Sequence, residues 1–203
     1  MPPAAYDSVD KRAELVTAAT VLLHEQGFHR TTLADVAGRA SVPLGNVYYY
    51  FKTKEALAEA VIAAHEQALR ERFASWHAAH RDPRERLRRL VHAPLDTSDR
   101  VIQFGCPHGS LCQELEKLGP DAPLAKAGAR LLAVYIDWAE EQFRAHGCGR
   151  RSRSLATDLV ASIQGTMLVA HTMRSQTLLA HQLRRVERWL DETLSLPHPR
   201  SRS

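Results

Sequence analysis

Three consecutive tyrosines, Tyr48, Tyr49 and Tyr50, lie between Val47 and Phe51, and two lysines, Lys52 and Lys54, follow closely. On a helix, successive side chains are about 100° apart, so such a run covers more than half a turn and cannot face one core. At least one hydroxyl must meet solvent or a partner, and phosphate oxygens are good acceptors for it. Lys52 and Lys54, with the backbone N–H groups that open the next helix, offer an anion site nearby. Alone, three adjacent tyrosines read as packing of a small helical unit. Inside a helix, tight turn, helix frame they read as facing phosphate, with Tyr50 and Phe51 kept mainly for packing.

The elements that must position these groups are helical. Glycine and proline cluster at boundaries, and segments rich in Ala, Leu, Arg and Glu lie between them. A first helix is expected from Ser8 to Gln26, ending at Gly27, with Leu15, Ala18, Ala19, Leu22 and Leu23 inward. Thr32 can cap a helix over Leu33 to Ala40, with Asp35 placing an acid against its positive end. Ser41-Val42-Pro43 breaks it, Pro43 standing at a first-turn position, and a short helix follows over Leu44 to Tyr50. Val36, Ala37, Ala40, Val42, Val47 and Phe51 are the inward positions of this pair. Longer helices are expected at Lys54 to His80, Pro83 to Leu95, His108 to Leu118, Pro123 to His146, Leu155 to Ser175 and Gln176 to Leu196. The expected fold is therefore all-α, with about nine helices.

Composition narrows the class. The 203 residues are 44% hydrophobic and 25% charged, the balance of a folded globular chain. Lys and Arg number 27 against 23 Asp and Glu, an excess of +4 that permits nucleic-acid binding without arguing for it. No apolar run has membrane-spanning length, and the opening MPPAAYDSVDKRAELV lacks the apolar core of a secretory signal. Three cysteines are too few for a disulfide framework, and a cytoplasmic address is expected.

Residues 31–57 read TTLADVAGRASVPLGNVYYYFKTKEAL. This resembles the DNA-binding region of the tetracycline-repressor (TetR) family of bacterial transcriptional regulators. Thr31, Thr32, Asp35, Val36, Ala37, Gly45, Tyr48, Tyr50, Phe51, Lys54, Glu55 and Leu57 carry the likeness. The turn departs from the family pattern, with Ser41 where glycine is common and Pro43 where serine is common. Pro43 thereby lacks a hydroxyl that could touch phosphate. Leu44 and Asn46 are then best placed for base edges. Asn can bond adenine bidentately, and Leu can make only apolar contact. The DNA-binding set is Thr32, Pro43, Leu44, Gly45, Asn46, Tyr48, Tyr49, Lys52 and Lys54. Thr32 carries two compatible readings, cap and phosphate contact.

The resemblance implies a three-helix DNA-binding domain at residues 1–54 and a ligand-binding and dimerisation domain at 55–203. It implies a homodimer on double-stranded operator DNA, formed through the last two long helices, with a small-molecule effector and no other cofactor. It also implies repression relieved by that effector. The helix from Leu155 fits, being apolar on two sides: Leu155, Leu159, Ser162, Thr166 and Val169 on one, Val160, Ile163, Met167 and His171 on the other. Candidate pocket residues are His65, Phe104, Cys106, Leu111, Tyr135, Trp138, Met167 and His171, each also readable as ordinary core. Gly105-Cys106-Pro107-His108-Gly109-Ser110-Leu111-Cys112, before Glu114-Leu115, is the oddest local stretch. Cys106 precedes a helix start that favours a thiolate, so oxidant or electrophile sensing stands beside an inert buried thiol. Cys106, His108 and Cys112 match no common zinc spacing, so no metal is expected. Cys148, between two glycines, is expected to be exposed.

Other classes lack motifs. No phosphate-binding glycine loop, nucleophile elbow or HExxH helix is present, and the neighbours Glu140 and Glu141 cannot face one site, so no enzyme is expected. A helical small-molecule-binding protein or scaffold without DNA binding would leave the outward tyrosines and lysines without a role.

Overall fold

A computed structural model of the chain describes residues 5–195, and every element among them is helical. Ten α-helices are present among the described residues: α1 (Ala5–Gln26), α2 (Leu33–Arg39), α3 (Leu44–Tyr50), α4 (Lys54–Ala79), α5 (Pro83–His92), α6 (Ser98–Phe104), α7 (Pro107–Glu116), α8 (Pro123–Ala145), α9 (Ser152–Thr172) and α10 (Gln176–Ser195). Short 3-10 turns occupy Ala93–Leu95 and Gly149–Arg151. The all-α expectation stands. Helix α6 is the addition: it is short and, unlike α2, has no side-chain cap at its start, and Gly105, at φ 82°, ends it. Leu196, the expected last residue of α10, lies outside the described residues.

The chain packs as two compact units. Among the described residues, the first joins 5–68 with Pro107–Leu131, and the second joins Leu69–Cys106 with 132–195. The packing boundary falls inside α4, which is one uninterrupted helix over Lys54–Ala79.

In the first unit, Leu15, Ala18, Ala19 and Leu23 of α1, Val36 and Ala37 of α2, Val47 of α3, Phe51, and Leu57 and Val61 of α4 are all buried. Leu22, Ala40 and Val42, expected inward, are half-buried. In the second unit, Leu159, Ile163 and Met167 of α9 and Leu179, Leu183, Leu190 and Leu194 of α10 are buried, while Arg184, Arg185 and Arg188 face solvent. Phe73 stacks on Trp138 (4.3 Å, 12°), with Trp76 and Tyr135 edge-on around them. Arg88 and Arg84 reach from α5 to Asp191 of α10 at 2.8 and 3.1 Å. Cys148 is buried, correcting its expected exposure. The turn closing α8 folds back, with Cys148 N–H donating to Phe143 carbonyl at 3.0 Å, and burial raises the thiol pKa.

Candidate nucleic-acid interface

Helix α2 is launched by a complete capping box. Thr32 Oγ1 accepts from the Asp35 N–H at 3.1 Å, and Asp35 Oδ2 accepts from the Thr32 N–H at 2.8 Å. The Thr32 hydroxyl also donates to Asp35 at 2.7 Å, and these bonds to Thr32 hold the Asp35 carboxyl below its ordinary range. The hydroxyl is therefore committed to its cap, and donation to phosphate requires it to leave Asp35.

The turn between α2 and α3 is a Schellman closure. Ser41 N–H donates to Gly38 carbonyl (3.2 Å) and Val42 N–H to Ala37 carbonyl (3.0 Å). Ser41 occupies the left-handed position at φ 56°, where a Cβ costs about 1 kcal/mol. Pro43 is the N-cap residue of α3, one place before the first-turn position expected of it, and its carbonyl accepts from Asn46 N–H at 2.9 Å.

Helix α3 divides cleanly. Val47 is fully buried, and Tyr50 is half-buried with its ring edge-on to Tyr49 at 4.9 Å. Leu44, Tyr48 and Tyr49 are 40%, 47% and 73% exposed, three of the seven large hydrophobic side chains open to solvent among the described residues. Gly45 is also exposed, and a Cβ there would meet nothing within 4 Å, so no crowding within the chain demands glycine. Leu44 with Tyr48, and Gly45 with Tyr49, are i,i+4 neighbours, so the four form one continuous outward stripe. Asn46 is half-buried at its margin, and Lys52 is exposed just beyond α3.

Lys54 is placed differently from Lys52. It is half-buried, its Nζ donates to Phe28 carbonyl at 3.0 Å and His29 carbonyl at 3.4 Å, and it lies 4.4 Å over the Phe28 ring. Its cation closes the α1–α2 turn. Thr53 Oγ1 accepts from Ala56 N–H at 3.1 Å and caps α4.

The expected pocket residues fall in both units. His65 and Leu111 belong to the first unit; Phe104, Cys106, Tyr135, Trp138, Met167 and His171 belong to the second. His65 Nδ1 and His108 Nε2 are 3.1 Å apart, so one nitrogen donates and the other accepts. Burial first, and the charge of His24 second, lower the His65 pKa to about 4. In the second unit, a groove of about 400 Å³ between α4 and α8 has Trp138 on its wall with Phe73, His77, Asp137 and Glu141. The Trp138 indole N–H is buried without a hydrogen-bond partner. Phe104 lies under Arg100, and a His171 ring nitrogen is 3.0 Å from Ile102 carbonyl. Cys106 is buried, and Cys112 Sγ donates to Gly128 carbonyl at 3.2 Å.

Known proteins share both the motif and the fold. Residues 15–61 match the family described as bacterial regulatory proteins, tetR family. The HTH-type transcriptional regulator BetI of Burkholderia ambifaria is 40% identical over 153 residues, covering 61% of this chain and 77% of that protein. The HTH-type transcriptional regulator LmrA of Bacillus subtilis is 29% identical over 184 residues, 85% of this chain and 92% of that protein. Among solved structures, a TetR transcriptional regulator from Legionella pneumophila superposes with TM-score 0.77 at 19% identity, covering 89% of this chain and 95% of that one. The regulatory protein TetR from Rhodobacter sphaeroides gives 0.75 at 24%, covering 87% and 96%.

Proposed function

The chain belongs to the TetR family of bacterial transcriptional regulators, DNA-binding proteins and not enzymes, and from that premise we propose that it is a homodimeric repressor released from a palindromic operator by a small molecule. The observation that carries the DNA reading is the outward Leu44-Gly45-Tyr48-Tyr49 stripe on a short helix with a buried opposite edge. Glycine at 45 lets a duplex approach the backbone closely, and tyrosine hydroxyls suit phosphate oxygens. Leu44 and Asn46 contact base edges, and Lys52 adds a phosphate contact. Pro43 shapes the entry to the helix, and Thr32 acts by capping α2. Lys54 contributes by holding the α1–α2 turn.

Family members usually act as dimers with small-molecule effectors. Dimerisation through α9 and α10 is supported by the apolar side of α9 that the chain leaves open: Leu168 and Val169 are 53% and 48% exposed, and Ser162 is exposed. A groove of about 620 Å³ between the two helices lies on the same unit. A two-fold dimer presents its α3 helices to half-sites about one DNA turn apart, about 34–36 Å. The functional division is a DNA-binding domain at 1–54 and an effector and dimerisation domain at 55–203, the latter drawing on Tyr135, Trp138 and Met167. Nearly complete release needs an effector that prefers the DNA-incompetent state by about 5 kcal/mol. No helix among the described residues is long and apolar enough to cross a membrane, and the proposed site of action is the cytoplasm.

Selection of duplexes by the wild-type protein from a randomised pool tests the reading. Enrichment of a palindrome supports it; a pool that stays random after repeated rounds contradicts it.

A further inference from the structure

The α1–α2 turn is gripped from two sides through one peptide group. The carbonyl of the Phe28–His29 peptide accepts from Lys54 Nζ at 3.0 Å, and its N–H donates to Glu114 Oε2 at 3.3 Å. A cation at the oxygen and a carboxylate at the hydrogen polarise the peptide in the same sense, so each strengthens the other's bond. Lys54 is the first residue of α4, and Glu114 lies on α7, 85 positions from His29.

Gly27 makes the approach possible. It sits at φ 85°, and a Cβ there would overlap the Glu114 carboxylate. Beyond this point the turn is tightly bonded to α2: Gly27 carbonyl accepts from Thr31 N–H at 3.3 Å and Thr31 Oγ1 at 2.7 Å, and Thr31 is buried. Thr32 then caps α2. A shift of the Phe28–His29 peptide is therefore passed to the start of α2, and the Schellman closure passes it to α3.

We propose that Glu114 is a positioning residue for DNA binding: through the Phe28–His29 peptide it makes α7 a support of the α2–α3 pair and sets how the Leu44-Tyr48-Tyr49 stripe is presented. This rests on the DNA-reading role of α3. It gives Glu114, which follows the unusual Gly105–Cys112 stretch on α7, a task, because displacement of α7 withdraws the acceptor from His29. The 3.3 Å separation is at the long end of hydrogen bonding, so the expected effect is about tenfold rather than thousandfold.

The test uses the full-length protein and the duplex enriched by the wild type, with random-sequence duplex as comparison. Glu114→Ala lowers affinity for the enriched duplex about tenfold and affinity for random duplex less than about twofold. Loss of general stability alone does not move that ratio. Lys54→Met lowers the same ratio, and the double variant is no worse than about the larger single effect, because both act through one peptide. Glu114→Gln, which keeps the volume and an acceptor oxygen, falls between, and it decides the matter by the same ratio if Glu114→Ala does not fold. An unchanged ratio in the folded variant, or fully additive Lys54 and Glu114 effects, overturns the proposal while leaving the DNA-reading role intact. A wild type that enriches no sequence overturns both.

Discussion

The α4–α8 cluster of the second unit and helix α3 of the first use aromatic side chains in opposite ways. In the cluster, Phe73, Trp76 and Trp138 are buried against one another, and their value is burial and ring geometry. On α3, Tyr48 and Tyr49 are held in solvent on a seven-residue helix whose inward side is Val47. Exposed aromatic surface contributes nothing to folding the monomer. The contrast locates function: α3 is held in place by buried Val47 and the α2–α3 turn and turns its aromatic surface toward something outside the chain, whereas the α4–α8 cluster turns its own inward to hold the fold.

Three measurements bear on that contrast. The largest effect is on the cluster. Phe73→Ala costs about 4 kcal/mol of stability by the usual penalty for an emptied aromatic site. All three tryptophans, Trp76, Trp138 and Trp189, lie in the second unit, so urea unfolding followed by tryptophan fluorescence reads the change. The same variant keeps the ratio of enriched to random duplex affinity; a collapse of that ratio would erase the distinction between the units.

The next effect belongs to the first unit and to pH. His65 titrates near 4 in the folded chain against an ordinary 6.5, so between those values the unfolded chain binds more protons. Stability is therefore full above about pH 6.5 and is lost as pH falls toward 4, by about 2 kcal/mol at pH 5. Denaturation at pH 7 and pH 5 measures it, and His65→Leu removes this share of the difference. A wild-type stability that is flat over this window contradicts the buried, neutral assignment.

The smallest effect is a gain. Ser41→Gly relieves the left-handed Cβ and stabilises by about 1 kcal/mol, read as a higher midpoint in urea. A loss there would mean that the serine side chain supports the turn.

Much of the first unit is legible in the sequence because its signals are local. Thr32 and Asp35 are three residues apart and form the expected cap, and α3 spans Leu44–Tyr50 as expected. The alternation of Val47 inward with Tyr48 and Tyr49 outward follows from helical period alone. What escapes is long-range or unmarked by a local motif. Sequence places the Lys54 cation at an anion site, but its partners are carbonyls 25 and 26 positions earlier. The Glu114 grip on His29 has no sequence signature, since it depends on the meeting of α1 and α7. Helix α6 has neither a capping side chain nor a motif to mark its start, and Cys148 is buried by the way a turn folds back rather than by any apolar run. The candidate pocket residues share their size and polarity with ordinary core residues, and the structure distributes them over both units.

The outward stripe is tested head-on by the affinity of Tyr48→Ala/Tyr49→Ala for the enriched duplex, with circular dichroism to follow the helices. Both side chains face solvent, so helical content should stay unchanged while affinity falls about a hundredfold. Full-strength binding by the folded double variant would contradict this, and the outward stripe of α3 would not be the surface that reads DNA.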